Sequence, residues 1–101
     1  MYKVLLTEEF QSWLDRMSDH RGRIRIAARI RRAELGNLGD WKAIGDRLCE
    51  MRINEGPGYR VYFARRRTAL IVLLAGGDKS TQQRDIRRAF HLLSEIDNDY
   101  E

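Results

Sequence analysis

Gly56-Pro57-Gly58-Tyr59-Arg60-Val61-Tyr62-Phe63 and, after one further apolar run, Gly76-Gly77-Asp78-Lys79-Ser80-Thr81-Gln82 decide how this chain folds. The first stretch is a tight turn feeding a strand in which Tyr59, Val61 and Phe63 alternate with Arg60, Tyr62 and Ala64. The second is a glycine turn that launches a helix with a lysine in its opening. Together they set basic and phenolic groups on rigid elements beside two turns, as a phosphate-handling surface requires.

Working outward, Leu48 to Ile53 reads as a strand with Cys49, Met51 and Ile53 on one face and Glu50 and Arg52 on the other. Trp41 to Ile44 is a shorter strand joined to it by a hairpin-like turn at Gly45-Asp46. Beyond Tyr59–Arg66 and a turn at 65–68, the run Ala69 to Ala75 is almost wholly apolar, as expected of a strand covered on both faces, and Gly76-Gly77 ends it.

The N-terminal half is helical after an opening strand at residues 2–6. Thr7 has the position of an N-cap, and Phe10, Trp13, Leu14 and Met17 share one helical face. A second helix runs from about Arg21 to Leu35, with Ile26, Ile30 and Ala33 toward the core. A final helix, capped by Asp78 or Ser80, repeats the pattern with Ile86, Ala89, Phe90 and Leu93. The order β-α-α-β-β-β-β-α makes an α+β domain: a mainly antiparallel sheet with two N-terminal helices and one C-terminal helix. Residues 1–96 are one domain, and 97–101 an acidic tail.

Composition narrows the function. In 101 residues with a net charge of +4, sixteen arginines stand against three lysines. Guanidinium grips phosphate and carboxylate in bidentate fashion, although a GC-rich genome produces the same bias. The lone Cys49 excludes an intramolecular disulfide and, with His20 and His91, offers no metal-ligand spacing. No Gly-x-Ser-x-Gly elbow or P-loop is present, and neither a metal nor a cofactor is expected. The opening residues lack a signal-peptide core and no apolar run approaches the ~20 residues of a membrane span, so a cytoplasmic protein with no membrane partner is expected.

Two basic constellations remain. Arg21, Arg25, Arg29 and Arg32 form one stripe of the second helix; without intervening acids they repel one another, and an anionic partner would relieve them. Glu50, Arg52, Arg60 and Tyr62 fall on the polar side of two adjacent strands. They outline a shallow cup bordered by Lys42, Lys79 and Arg84, unless Glu50 simply pairs across the ladder. Such a cup could clamp a phosphodiester, with Tyr59 or Tyr62 stacking on a base. For RNA cleavage by the substrate's own 2′-hydroxyl, Glu50 is a candidate base, the arginines and lysines supply electrostatic stabilisation, and a tyrosine could supply a proton. The lack of a well-placed histidine suits an enzyme that borrows order from a larger assembly.

Phe10-x-x-Trp13-Leu14, Arg29-Ile30-x-Arg32, Gly36-Asn37-x-Gly39-Asp40, Glu50-x-Arg52-Ile53 and the two opening stretches together resemble the RelE/ParE superfamily of bacterial type II toxins, in its HigB-like, phage-related addiction module killer branch. The resemblance spans almost the whole chain. It implies a small RelE-like α+β toxin that cleaves mRNA on the ribosome and inhibits translation. It also implies an oligomer with a cognate antitoxin encoded next door, often a helix-turn-helix protein. The resemblance implies cleaving residues that are basic and aromatic, and carries that role over to Arg52, Arg60 and Lys79, with Tyr62 and Glu50 as further candidates. Lys42, Tyr59 and Arg84 are candidate RNA contacts, and Arg21, Arg25, Arg29 and Arg32 a candidate surface for the antitoxin or another partner, protein or nucleic acid. Two alternatives stay open: a ParE-like, non-enzymatic inhibitor of DNA gyrase, and a degenerate, non-toxic antitoxin-binding member.

Overall fold

The computed structural model describes residues 1–67 and 69–100, with side chains as far as residue 96. Thr68 of the expected 65–68 turn, and the side chains of the acidic segment 97–101, lie outside the described residues. The elements are β1 (Lys3–Leu6), α1 (Glu8–Asp15), α2 (His20–Glu34), β2 (Trp41–Gly45), β3 (Leu48–Ile53), β4 (Tyr59–Arg66), β5 (Leu70–Asp78) and α3 (Gln82–Tyr100), with a 3-10 turn at Lys79–Thr81. This is an α+β architecture. Among the described residues no helix is long and apolar enough to cross a membrane.

One five-stranded sheet, in the order β1-β5-β4-β3-β2, carries the fold. The three neighbouring pairs from β2 to β5 are antiparallel, but β1 runs parallel to β5, so the sheet is mixed. α1 and α2 follow β1 and carry the chain away from the sheet before it returns through β2, which leaves β1 free to dock beside the last strand. Thr7 caps α1 as its sequence position predicts, accepting from the Phe10 amide at 3.1 Å. Its hydroxyl also donates to the Leu74 carbonyl at 2.8 Å, which ties α1 to β5.

Strand alternation produces two separate cores. On one face Cys49, Met51, Ile53, Tyr59, Val61, Phe63, Ile71 and Leu73 pack under Phe10, Leu14, Ile26 and Ala33 of the N-terminal helices. On the other, Leu48, Tyr62, Ala64, Val72 and Leu74 pack under Ala89 and Leu93 of α3. A register shift between Tyr62 and Phe63 lets Leu74 and Ala75, neighbours in sequence, both join this second core. The second face was expected to turn outward. It is covered instead, because the apolar stripe of α3 needs a surface to bury and the first face is already taken.

β5 also runs further than its glycines suggest. Gly76, Gly77 and Asp78 pair with Val61, Arg60 and Tyr59 rather than ending the strand. These positions are glycine for lack of room: a Cβ at Gly76 would meet the Trp13 ring, and one at Gly77 would meet the Asp85 carboxylate. The true punctuation is Asp78, whose carboxylate accepts from the Ser80 amide at 2.8 Å and opens the 3-10 turn. The β2–β3 turn likewise falls one residue later than expected, at Asp46-Arg47, with Arg47 at φ 62°.

Candidate functional site

β3 and β4 bring four of the expected residues together on the α3 side. Glu50 lies directly across from Tyr62, and Arg52 from Arg60, with Lys42 across from Glu50 on β2. Glu50 is fully buried. Its Oε1 accepts from Arg60 Nη1 at 2.7 Å and from Gln82 Nε2 at 3.4 Å, and lies 3.8 Å from Arg52 Nε. A carboxylate removed from water needs such partners, and two guanidiniums supply them.

The pairing is incomplete. Among the described residues, the buried polar atoms without a hydrogen-bond partner are Glu50 Oε2, Arg52 Nε and Tyr62 Oη, all from this one cluster. Burial raises the Tyr62 pKa well above the usual phenol range, with Glu50 and Asp85 adding to the shift and Arg60 opposing it. Tyr62 is therefore held as a neutral phenol that can donate a hydrogen bond to an oxyanion but does not readily release its proton.

Access is graded. The Arg60 side chain is 13% exposed and that of Arg52 40%, whereas Lys42 and Lys79 are exposed at the border. Lys79 follows Gly77, the register partner of Arg60, by two residues and opens the 3-10 turn at that end of β5. Arg84 is exposed but lies 3.5 Å from Asp85, which offsets its charge. The expected open cup is thus a closed carboxylate–guanidinium cluster with a basic rim. Tyr62, with no exposed surface, offers no ring face for stacking.

Tyr59 is on the other face. It is buried in the first core, and its hydroxyl donates to Asp19 Oδ2 at 2.6 Å. Burial and this acceptor push its pKa from 10.0 up to about 12. A base-stacking role has no surface there. The arginine stripe of α2 also divides. Arg29 is buried, donating to the carbonyls of Arg52 at 2.5 Å, Leu38 at 3.0 Å and Asp40 at 3.1 Å. It staples the 37–40 turn to β3. Gly39, at φ 69°, permits this: a Cβ there would lie 2.7 Å from Arg29 Nη2. Arg25 and Arg21 approach Glu55 at 3.2 and 4.0 Å, an acid the stripe was expected to lack because it sits far away in sequence. Arg32 stays exposed.

Sequence reasoning missed Gln82, Thr81 and Asp85. Asp85 is buried above Gly77 and accepts from the Thr81 hydroxyl. The signal was Gly77 itself, since a glycine inside an apolar strand marks the close approach of another group. Cys49 lies on the first core face, where burial raises its thiol pKa. No group of His, Cys, Asp and Glu among the described residues could hold a metal ion.

No protein-family model matches the sequence. An uncharacterized protein of Haemophilus influenzae is 45% identical over 94 residues, covering 93% of this chain and 95% of the relative. The chain belongs to the same family as that protein. Coverage of nearly all of both chains means that the two share the whole domain rather than a single motif.

Proposed function

We propose that this chain is the toxin component of a bacterial type II toxin–antitoxin system, a RelE-like, ribosome-dependent mRNA endonuclease acting in the cytoplasm and neutralised by a cognate antitoxin. The observation that carries the reading is the convergence of three unmet buried polar atoms on Glu50, Arg52 and Tyr62, with the exposed Lys42 across from Glu50 on the neighbouring strand. Buried polar groups are almost always paired, so unmet ones gathered at one place are those a ligand would complete.

In the reaction proposed, the substrate's 2′-hydroxyl attacks the adjacent phosphorus and the bond to the 5′-oxygen breaks. A 2′,3′-cyclic phosphate forms, and the proton lost by the nucleophile is balanced by one gained at the leaving oxygen. Arg52, with Arg60 behind it, stabilises charge on the phosphoryl oxygens and Lys79 holds the backbone, while the Tyr62 hydroxyl, which has no exposed surface, meets them only where the substrate opens the cluster. Glu50, enclosed and bonded to Arg60, serves as a positioning residue rather than the exposed base expected from sequence. A second reading, binding without cleavage in the manner of a gyrase inhibitor, is favoured by the enclosure of Glu50 and Tyr62 under α3.

Induction in cells with mapping of transcript ends tests the proposal. Wild-type expression is expected to arrest growth and produce new ends within coding sequence. Arg60→Lys retains a cation beside Glu50, whereas Arg60→Ala would leave that buried carboxylate without its closest partner and confuse folding with function. Arg60→Lys and Lys79→Ala are both expected to give soluble protein with reduced cleavage. Arrest with DNA damage and no new RNA ends would establish the binding reading, and the absence of any arrest would indicate a degenerate member.

A further inference from the structure

A second basic feature lies outside the Glu50 cluster. Between α2 and the end of β3 is a cleft of about 250 Å³ whose lining includes Arg25, Arg29, Arg32, Arg52, Asp40 and Asn54. With the Arg52 guanidinium turned toward Glu50, Arg25, Arg29 and Arg32 against Asp40 leave the lining with a formal surplus of two positive charges. Arg29 gives its hydrogen bonds to neutral carbonyls, which orient its charge without cancelling it. Arg25 is partly answered by Glu55, while Arg32 forms no ion pair among the described residues. Burial, and next to it the charge of Arg32, lower the pKa of Arg29, with Asp40 opposing the shift only in part.

We infer that this cleft binds a backbone phosphate of the RNA strand beside the one held at the Glu50 cluster, an inference that rests on the RNA reading above. Arg52 links the two places. Its carbonyl accepts from Arg29 at the wall of the cleft, while its guanidinium lies near Glu50 on the other side of β3. A strand crossing the end of β3 at Arg52 would pass from one place to the other. The fixed charge of Arg29 with the exposed forks of Arg25 and Arg32 suits a phosphate dianion or diester. The α2 stripe is then a nucleic-acid surface that sets the direction of the strand, rather than an antitoxin surface.

The test is binding of a fluorescein-labelled single-stranded RNA to wild type, to Arg25→Ala/Arg32→Ala and to Arg23→Ala over a salt series. Arg25 and Arg32 are surface groups, and Arg21 remains 4.0 Å from Glu55 when Arg25 is removed, so the double variant is expected to melt close to wild type. It should bind RNA more weakly, and its plot of log affinity against log salt should flatten by about 0.7 for each phosphate the protein no longer neutralises. Arg23→Ala, on another part of α2, should follow wild type, and Arg32→Lys should recover part of the slope. RNA binding by wild type with an unchanged slope in the double variant would overturn the cleft assignment alone. Weaker binding of poly-glutamate with RNA affinity intact would overturn it in favour of an acidic protein partner. Failure of wild type to bind RNA would overturn this inference alone, because the mapping of transcript ends in cells decides the RNA reading separately.

Discussion

The two faces of the sheet hold similar polar groups and treat them differently. On the α1/α2 side, Tyr59 gives its hydroxyl to Asp19, and Arg29 bonds three carbonyls. On the α3 side, Tyr62 has no partner, and Glu50 and Arg52 are each left with an unmet atom. A buried hydrogen bond that is made contributes modestly to stability, whereas one left unmade costs more. The first face therefore reads as construction. The second leaves polar atoms open to water or a ligand, which the proposed function assigns to substrate.

The contrast breaks first at Arg29. Arg29→Met would keep the stem's packing but strip partners from the carbonyls of Leu38, Asp40 and Arg52, and we expect a loss of about 3 kcal/mol or more in urea unfolding. Unchanged stability would mean that the staple is not structural. Tyr62→Phe should act in the opposite sense: it removes a hydroxyl that has no partner, so stability should hold or rise by about 1 kcal/mol. Cleavage should fall on the order of 100-fold if that hydroxyl meets the oxyanion. Full cleavage by a folded Tyr62→Phe protein would remove Tyr62 from the chemistry.

Tyr59→Phe is the matched control. It should lower the unfolding midpoint, by less than Arg29→Met, and leave activity per folded molecule unchanged. Reduced turnover in stable Tyr59→Phe protein would erase the distinction between the faces.

The smallest effect is in pH. The Tyr59 hydroxyl, then the Gly22 amide, hold the Asp19 pKa below its ordinary 3.8. Between the two values the unfolded chain binds more protons, so this stabilisation is present above 3.8 and lost as pH falls through the folded pKa. Tyr59 has the reverse sign: its contribution is intact below 10.0 and lost as pH rises toward about 12. Tyr59→Phe should flatten both limbs of a stability–pH profile, and a profile identical to wild type would show that the Tyr59–Asp19 bond carries no linkage.

Much of the fold was legible because its signals are local. Helical spacing of Phe10, Leu14, Ile26 and Ala33 marked two helices, and alternation along Leu48–Ile53 and Tyr59–Arg66 sorted residues correctly between the faces. The pairing of Glu50 with Arg60 was also within reach, since cross-strand neighbours follow from adjacent strands and alternation. The parallel placement of β1 was not, because it depends on the first and last strands of the chain meeting edge to edge.

The same division holds for the opening stretches. By itself the sequence determined that Arg60 and Tyr62 share a face with Glu50 and Arg52, because a strand's side chains alternate with period two. Only the tertiary structure decided that α3 would close over that face, that Arg29 would be spent on backbone carbonyls, and that Glu55 would answer Arg25. These depend on groups distant in sequence meeting in space, and a buried polar group takes its role from the partners it finds there.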